Sequence, residues 1–404
     1  MGGKSQQAES FDINSIDSGF IDNPYPTLEL LRENDPVHWN PDGSLFLTRY
    51  RDIQKVYQDR SMISDKREIF SKKFGDSALY NHHTTSLVFN DPPYHTTVRK
   101  LLTGAFTPRK LAEMEPLIEE IVDKLLDELE DKREFDFVSE FAMRLPTEII
   151  SFMLGVPEAY REKLRGYSLS ILGALDAVVS QEQLENGNQA VVEFGQLLDE
   201  LIEHRRKNPD EARQGEVLQS LIFGEYEGNR LNQNELIQNC IFLLNAGHET
   251  TTSLMANGVG ILLLEPEQFR VLVEKPEFID SAVEEILRYE SPLQIGNRLT
   301  PDDMEFSGVR VPAGTYIHTS IASANRDPEI FGKPEEFNVT RRNNRHLAFI
   351  TGIHVCLGAT LARYEGRIAF GKLISRFPNL SANGPAERLP LARFRGFVRL
   401  PVSI

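Results

Sequence analysis

Apolar residues recur along most of the chain at the three- and four-residue spacing that is typical of helices with one buried face. The clearest case lies between residues 110 and 130, where Leu111, Met114 and Ile118 follow this period. The same pattern predicts helices over residues 24–34, 51–60, 141–154, 158–175, 180–206 and 277–290. We therefore expect an α-rich body over about residues 91–290.

Short β-rich runs mark a different pattern on both sides of this helical body. They predict strands over residues 37–39, 45–48, 293–295, 304–306, 309–311, 316–320 and within 394–402. The β-rich parts should therefore span about residues 35–50, 293–321 and 390–404. No linker or internal repeat interrupts the chain, although a length of 404 residues by itself could suggest two or three domains.

Residues 61–90 show no clear period and are predicted to form a long irregular loop, of a length that is usually functional or mobile. The next helix is predicted to begin at Asp91, with an acidic N-cap and prolines in its first turn. His95 and Arg99 then lie four residues apart, on one face of that helix. Two cationic donors on one face can hold carboxylates, although a solvated surface pair is the plainer reading of this spacing alone.

One predicted helix is much longer than the others. Asn232 and Glu235 have the spacing of a capping box, and a helical pattern runs from there to about Leu264. At 1.5 Å per residue this helix would be about 45 Å long, enough to cross the whole protein. Its second half is largely apolar, so its middle should be buried.

The middle of this long helix has an unusual composition for a buried segment: Ala246, Gly247, Glu249 and Thr250 occur together. Glycine costs a helix interior about 1 kcal/mol relative to alanine, and a buried acid costs several kcal/mol unless it is used. Small residues would let a bulky planar ligand lie against the helix. We predict that this segment takes part in chemistry; the alternative is a polar stripe that faces internal water.

A lone cysteine in a glycine-bounded loop precedes an alanine-rich helical pattern. Residues 349–358 contain Cys356 between Gly352 and Gly358. The N-terminus of the following helix would favour an ionised sulfur, and the glycines would let the backbone turn tightly beside a flat ligand. Such a thiolate is a metal ligand or a nucleophile; the alternative is a buried cysteine after a turn.

Composition narrows the choice of function classes. The chain has 404 residues, a formal net charge of −16 and no strongly basic run, which argues against nucleic acid as a partner. No apolar run reaches the length of a membrane span, and residues 1–20 do not resemble a signal peptide, so we expect no membrane association. Two cysteines are too few for a disulfide framework, an iron–sulfur cluster or a cysteine-rich zinc site, and they fit a cytoplasmic location.

Taken together, these segments resemble the cytochrome P450 superfamily over nearly the whole chain, and in particular its soluble bacterial members. Five motifs occur in the order that the superfamily has: H-x-x-x-R at His95 and Arg99, A-G-x-[DE]-T-T at residues 246–251, E-x-x-R at Glu285 and Arg288, A-N-R-D-P at residues 324–328, and F-G-x-G-x-H-x-C-x-G at residues 349–358. One position departs from the pattern, because Ile350 stands where the last signature usually has its first glycine. We expect this change to affect the turn under the sulfur rather than cofactor binding.

The resemblance implies a single domain over residues 1–404 with the mainly α cytochrome P450 prism fold and a small β-rich region, and haem b (iron protoporphyrin IX) as the cofactor. By match to the motifs, Cys356 is the axial thiolate ligand of the iron, which favours O–O bond cleavage on the opposite face. His95, Arg99, Arg298 and His354 match the partners of the haem propionates. Further residues expected at the haem are Phe106, Ala246, Gly247, Phe349 and Gly358.

Two further roles follow from the resemblance. Glu249 and Thr250 match the acid–alcohol pair that links the oxygen site to a proton supply. Glu285 and Arg288, together with Arg326, match a structural buried network rather than catalytic groups.

The activity implied is that of a haem-thiolate monooxygenase, which inserts one oxygen atom from O2 into a hydrophobic small molecule. Electrons would come from NAD(P)H through a separate ferredoxin-type donor and its reductase, and the protein would act as a monomer. We further expect basic residues around the cysteine face to dock an acidic redox partner; they are Arg99, Lys100, Arg109, Lys110, Arg363 and Arg367.

Three alternatives stay open at this point. A peroxygenase would use hydrogen peroxide directly, although such members tend to lack the pair formed by Glu249 and Thr250. A haem-based sensor would bind without turnover. A hydrolase built on Cys356 and His354 is disfavoured because the two residues share one tight loop and no third residue orients them.

The sequence says least about the substrate. The predicted pocket walls include Leu79, Val88, Leu243, Leu244, Ile295 and Phe397. Arg395 is expected to be the only fixed charge among them. This composition indicates an apolar substrate such as a terpenoid, a steroid, a fatty acyl chain or a natural-product intermediate.

Overall fold

The computed structural model describes residues 8–104, 106–176, 179–213 and 216–404. Helices form most of this structure, as the apolar periodicity predicts. In chain order they are α1 (Ser18–Asp22), α2 (Tyr25–Asn34), α3 (Tyr50–Gln58), α4 (Arg67–Phe74), α5 (Ala78–Thr85), α6 (Tyr94–Thr103), α7 (Pro108–Asp127), α8 (Arg144–Leu154), α9 (Glu158–Gly173), α10 (Gln181–Lys207), α11 (Val217–Phe223), α12 (Gln233–Leu264), α13 (Pro266–Glu274), α14 (Ile279–Tyr289), α15 (Ile321–Ala324) and α16 (Ala359–Arg376).

The long helix α12 begins with the predicted capping box. The Glu235 backbone N–H donates to Asn232 Oδ1 at 3.0 Å, and the Asn232 backbone N–H donates to Glu235 Oε2 at 2.9 Å. These bonds satisfy N–H groups that the first turn of a helix leaves free. The helix is 32 residues long and buried over most of its length. It packs against α8, α9, α10, α14 and α16 and is therefore the central element of the helical body.

A glycine allows the closest approach of α12 to its neighbours. A Cβ atom at Gly258 would lie 2.3 Å from Phe370 Cζ on α16 and 3.0 Å from Ile286 Cδ1 on α14. No larger side chain fits there without moving an aromatic ring in a close-packed interior. This close contact positions α12 against α16. Glu249 and Thr250 lie on α12, and the loop with Cys356 directly precedes α16.

The prediction of a structureless segment over residues 61–90 is wrong. Helices α4 and α5 and the 3₁₀ turn Leu87–Phe89 occupy most of it. The apolar period is weak because two consecutive histidines, His82 and His83, take buried positions that an apolar residue would normally fill. Ser77 caps α5 by accepting a hydrogen bond from the Tyr80 backbone N–H at 3.3 Å.

The predicted cap of α6 is also wrong. The N-cap residue is Pro93, and the helix begins at Tyr94. The Asp91 carboxylate instead accepts hydrogen bonds from the backbone N–H groups of Ser64 and Asp65, at 2.9 and 3.0 Å. Asp91 therefore ties the start of α6 to the chain segment that precedes α4.

The strands are short: β1 (Val37–Trp39), β2 (Leu45–Leu47), β3 (Glu134–Asp136), β4 (Ile295–Leu299), β5 (Met304–Phe306), β6 (Val309–Val311), β7 (Tyr316–Ser320), β8 (Ser381–Ala382), β9 (Glu387–Arg388), β10 (Phe397–Arg399) and β11 (Pro401–Ser403). The largest sheet has the order β1-β2-β7-β4, in which only β2 and β7 run parallel. Strand β3 was not predicted, since its three residues lie within the helical body and pair with β11.

The core follows this division between helices and strands. One large cluster of buried apolar residues fills the helical body, and two smaller clusters lie against the main sheet. In the described ranges, every helix falls short of the length or the apolarity that crossing a membrane requires.

Candidate functional site

The cysteine loop is held by its own backbone. The Cys356 N–H donates to the Phe349 carbonyl oxygen at 3.0 Å, and a 3₁₀ turn, Gly352–His354, lies between them. Gly352 has φ of +76°, and a Cβ atom there would lie 1.9 Å from the Tyr57 carbonyl oxygen. Only glycine fits this position, so the packing of the loop against α3 decides the turn.

Ile350 occupies a conformation that β-branched residues rarely adopt. Its φ is +50°, and its N–H donates to the Leu347 carbonyl oxygen at 2.8 Å. For L-residues, the left-handed region costs about 1–2 kcal/mol. The loop thus keeps the turn that glycine usually makes at this place, and Ile350 is strained in it.

The Cys356 thiol faces a cavity and is accessible from it. The surrounding protein raises the pKa of the Cys356 thiol, while backbone N–H groups of Gly358 and Ala359 and the charges of Arg99 and Arg363 act in the opposite direction. The predicted helix N-terminus is therefore present, since α16 begins at Ala359. Its N–H groups lower the pKa of the thiol by less than the surrounding protein raises it. Coordination to a metal would favour the thiolate that the protein alone does not.

The cavity has a volume of about 860 Å³ and connects the cysteine loop to the middle of α12. Twelve predicted haem-site and substrate-site residues line it besides Cys356 itself. From α12 and the substrate side these are Ala246, Gly247, Thr250, Leu243, Val88 and Ile295. The other lining residues, around the loop and beyond it, are Phe106, Phe349, Gly358, His354, Arg99 and Arg298.

Gly247 contributes open space to this cavity. A Cβ atom there would meet no atom closer than Ile150 Cδ1 at 3.6 Å. The neighbouring Ala246 is exposed towards the cavity, and its carbonyl oxygen accepts a hydrogen bond from Thr250 Oγ1 at 2.6 Å. The small side chains therefore leave a flat wall beside a hydroxyl group, as the predicted planar ligand requires.

Glu249 lies beside Thr250 but outside the cavity lining. It is 1% exposed, and neither of its carboxyl oxygens has a hydrogen-bond partner. Burial raises the pKa of Glu249 to about 7, an effect that Arg165 partly opposes. His248 Nδ1 lies 3.8 Å from Glu249 Oε2, and His248 Nε2 is 2.9 Å from Thr147 Oγ1. The acid is therefore able to hold and release a proton near neutral pH.

The four predicted propionate partners come together on one side of the cavity. Arg99 Nη2 donates to the Val355 carbonyl oxygen at 2.7 Å, and the His354 ring lies 4.1 Å from the His95 ring. Burial lowers the pKa of His95 to about 4, and it also lowers the pKa of His354. His95 does not line the cavity itself, yet both its ring nitrogens are buried without a hydrogen-bond partner. Arg298 is buried beside Tyr57, with its guanidinium 5.1 Å from the ring centre.

Three predicted pocket residues belong to the hydrophobic core instead of the cavity wall: Leu79, Leu244 and Phe397. Leu244 follows Leu243 on α12 and is turned by about 100° around the helix, away from the cavity. Phe397 packs under the Arg388 guanidinium at 3.9 Å, and Leu79 packs beside Gly187. Apolar character alone did not distinguish a cavity wall from the core.

The prediction that Arg395 is the only fixed charge in the pocket is also wrong. Its guanidinium bonds to Glu290 and to the carbonyl oxygens of Ile21 and Asp22, outside the cavity. The cavity instead contains charged or polar residues that sequence reasoning missed: Lys66, Lys73, His82, His83, Asp176, Glu365 and Arg393. Several lie on α4 and α5, the segment that was predicted to be irregular. The four-residue spacing of Lys66, Phe70 and Phe74 is the signal that could have revealed it.

Glu285 and Arg288 form the predicted buried network. Arg288 Nε and Nη2 each donate to Glu285 at 2.8 Å, and Arg288 Nη1 donates to the Pro334 carbonyl oxygen at 2.8 Å. Arg326 is not part of it, because its Nη2 bonds to the Tyr289 carbonyl oxygen at 2.8 Å. The additional cation is Arg341, whose Nε lies 3.0 Å from both Glu285 oxygens.

These residues fit haem. The thiol and the small residues of α12 share one cavity, and the cationic side contains buried ring nitrogens without partners where two carboxylates would be received. Cys356 would hold the iron, and Arg99, Arg298, His95 and His354 would hold the propionates.

Comparison with known proteins agrees with this geometry. The sequence profile described as cytochrome P450 matches residues 36–404. The biotin biosynthesis cytochrome P450 of Bacillus subtilis (strain 168) is 36% identical over 398 residues, which cover 96% of this chain and 98% of that protein. The vitamin D(3) 25-hydroxylase of Pseudonocardia autotrophica is 37% identical over 393 residues, which cover 95% and 94%.

Solved structures show the same similarity. P450BioI in complex with hexadec-9Z-enoic acid ligated acyl carrier protein superposes with a TM-score of 0.90 at 35% identity, over 96% of this chain and all of that one (100%). The myxobacterial cytochrome P450 CYP267B1 in complex with myristic acid has a TM-score of 0.87 at 33% identity, over 95% and 97%. The chain therefore belongs to the cytochrome P450 family, as a monooxygenase enzyme whose cofactor is haem b.

Proposed function

We propose that this enzyme inserts one atom of O2 into an apolar small molecule, with two electrons from a separate ferredoxin-type protein. The ferredoxin would receive them from NAD(P)H through a reductase. The second oxygen atom leaves as water after two protons have been delivered. The observation that carries the proposal is a single cavity that joins Cys356, the hydroxyl of Thr250 and apolar walls.

The haem, when bound, supplies the redox chemistry by which O2 is reduced and one oxygen atom is transferred to the substrate. Cys356 would hold the iron through its sulfur, and the backbone N–H groups of Gly358 and Ala359 point towards that sulfur. Arg99 and Arg298 would neutralise the two propionates, while His95 and His354 would donate ring N–H bonds to them. Since both imidazoles are neutral at pH 7, each has one N–H to donate.

Glu249 and Thr250 supply protons in this proposal. Thr250 presents its hydroxyl to the cavity and gives its hydrogen to the Ala246 carbonyl oxygen, which leaves the Thr250 oxygen free to accept a bond. Glu249 lies behind it with a pKa of about 7 and unpaired oxygens, so it can exchange a proton at the pH of turnover. A rotation of the Glu249 side chain towards Thr250 would complete the path.

The haem-thiolate assignment is tested first by the absorption spectrum of the reduced, CO-bound protein. The wild type should show the thiolate-type Soret shift, and Cys356→Ser should lose both this shift and monooxygenation. Cys240→Ser is the matched control because Cys240 is fully buried and away from the cavity lining. Wild-type turnover by Cys356→Ser would contradict the proposal.

Turnover assays separate the remaining alternatives. The enzyme should oxidise a substrate with NAD(P)H, ferredoxin reductase and ferredoxin, and hydrogen peroxide alone should support little activity. Efficient turnover with peroxide alone would indicate a peroxygenase. Substrate-induced spectral changes without any turnover in either assay would indicate a sensor.

The basic residues near the cysteine loop remain our candidate docking surface for the electron donor. Lys100 and Arg109 are exposed, although Arg109 pairs with Glu113, and Arg363 and Arg367 pair with Glu284 and Glu115. Charge reversal at Arg109 and Lys110 should lower the electron-transfer rate and its salt dependence. Charge reversal at the exposed Arg270 on α13 is the control. Unchanged rates in the first variant would exclude this surface.

We also propose that the enzyme works as a monomer in the cytoplasm, where NAD(P)H and reduced ferredoxin are available. Its similarity to bacterial relatives and its two unpaired cysteines support this location. A mass measurement in solution checks the oligomeric state.

A further inference from the structure

One part of the cavity wall is cationic, in contrast to the apolar pocket that the sequence predicted. Among the described residues that line the cavity, the lysines and arginines are Lys66, Lys73, Arg99, Arg298 and Arg393. The two propionates of haem account for Arg99 and Arg298. Three cationic side chains therefore remain, at Lys66, Lys73 and Arg393.

Arg393 is 7% exposed and incompletely bonded. Its Nη1 and Nη2 make long contacts, at 3.4 Å to the Ile295 carbonyl oxygen and at 3.3 Å to His318 Nδ1. Its Nε is buried with no hydrogen-bond partner. By contrast, the nearby Arg395 uses all three of its guanidinium nitrogens. A buried guanidinium with an unused donor is costly unless a ligand completes its bonding.

Lys66 and His83 extend this cationic wall. Lys66 is 3% exposed, and its Nζ donates a hydrogen bond to the Ser64 carbonyl oxygen at 2.7 Å. Burial, with Arg298 and Arg393 nearby, lowers the pKa of Lys66 to about 7. His83 is fully buried among aromatic rings, and neither ring nitrogen has a partner. Lys73 lies further out, where its Nζ contacts the Asp176 carbonyl oxygen at 3.3 Å.

The carboxylates near these groups are already engaged. Asp176 accepts the backbone N–H groups of Ala392 and Arg393, at 3.1 and 3.2 Å. Asp42 accepts three hydrogen bonds, from Ser44 and Asn14. Asp91, which attracts Lys66, accepts two backbone N–H groups. These carboxylates therefore have hydrogen-bond partners within the protein, whereas the buried Nε donor of Arg393 has none.

We propose that the substrate is an apolar molecule with one carboxylate, and that Arg393 and Lys66 bind this carboxylate while His83 donates a further hydrogen bond. The inference depends on the proposed function only in taking the cavity as the substrate site. A carboxylate has the geometry to accept two N–H bonds from one guanidinium, and it would satisfy the unused Nε donor. The apolar remainder of the substrate would extend along Ile171, Leu172 and Leu243 towards Thr250.

The test compares acids with their methyl esters, which have the same skeleton and no charge. Three pairs cover three shapes: myristic acid, abietic acid and lithocholic acid, each with its methyl ester. Binding to the haem-loaded protein is measured by the substrate-induced spin-state shift. We expect at least one acid to bind about 10- to 100-fold more tightly than its ester, the range of a charge-assisted hydrogen bond.

Variants locate the carboxylate. Arg393→Gln and Lys66→Met should each reduce the acid–ester ratio about 10-fold or more and leave ester binding nearly unchanged. Arg393→Lys should retain part of the preference, because it keeps the charge but not the fork of donors. Arg399→Gln, at an exposed arginine of β10, is the control and should keep the wild-type ratio.

Three results would overturn the proposal. The first is that no acid binds more tightly than its ester in any pair. The second is that the preference persists in both Arg393→Gln and Lys66→Met. The third is that these variants lower haem content or weaken acid and ester equally, which would assign the two cations to the propionates. Binding is measured without redox partners. The carboxylate proposal can therefore be judged even if the enzyme shows no monooxygenation.

Discussion

Two buried charged regions of this protein differ in how completely their polar groups are bonded. Around Glu285 and Arg288, both carboxyl oxygens accept several bonds, and the guanidinium donates to Glu285 and to three backbone carbonyl oxygens. Around the cavity, Glu249, His83, His95 and Arg393 keep buried polar atoms without partners. The first region is complete within the protein, whereas we propose that cofactor, proton path and substrate complete the second.

This difference separates structural from functional charges better than burial does. Glu285 and Glu249 are both almost fully buried acids in helices, at 0% and 1% exposure. Burial raises the pKa of Glu249, because no cation or N–H group bonds to its carboxylate.

The largest effect on stability is expected from a substitution in the fully bonded region around Glu285 and Arg288. Glu285→Ala should lower the free energy of unfolding by about 3–5 kcal/mol, because it leaves Arg288 and Arg341 buried without their carboxylate. Haem content should fall together with stability. Thermal and urea unfolding check this, with Glu277→Ala at an exposed site as the control. If both variants had the same unfolding midpoint, the network would not be structural.

A smaller effect of opposite sign is expected from Glu249→Gln. The folded-state pKa of about 7 lies above the ordinary value of 4.5, so the cost of burying the ionised acid is absent below about pH 4.5 and is complete above pH 7. The variant should therefore be more stable than wild type by about 3 kcal/mol at pH 8 and equal to it at pH 4.5.

Turnover gives the second readout for Glu249→Gln. The same variant should lose about 100-fold in monooxygenation at pH 7, because glutamine cannot deliver the proton. Unfolding midpoints at the two pH values and coupled turnover assays measure the two effects. A stabilised variant with full activity would mean that Glu249 is buried for another reason.

The smallest effect is expected at Ile350. Ile350→Gly relieves left-handed strain of about 1–2 kcal/mol, but glycine costs about 0.5–1 kcal/mol in chain entropy and the isoleucine contacts are lost. The net change in stability should stay within about 1 kcal/mol, with the thiolate-type CO spectrum retained. Ile350→Val keeps the strain and is the matched control. Loss of haem in the glycine variant alone would show that the isoleucine side chain supports the loop.

The local features of the fold could be predicted from the sequence where one periodic pattern dominates. The capping box of α12 and the strands Val37–Trp39 and Tyr316–Ser320 agree with their predicted places. The segment over residues 61–90 did not, because His82 and His83 are polar residues in buried positions. Asp91 failed as a cap because tertiary bonds to Ser64 and Asp65 compete for its carboxylate.

The sequence by itself determined the helical body, the cysteine loop and the places of Glu249 and Thr250 in the middle of α12, because these depend on spacing and motifs within one segment. Only the tertiary structure decided which side chains reach the cavity. Leu243 lines the cavity, whereas its neighbour Leu244 packs in the core. Lys66 and Arg393 come from distant parts of the chain. The cationic wall is therefore a property of packing, since burial and unused hydrogen-bond donors exist only after the chain has folded.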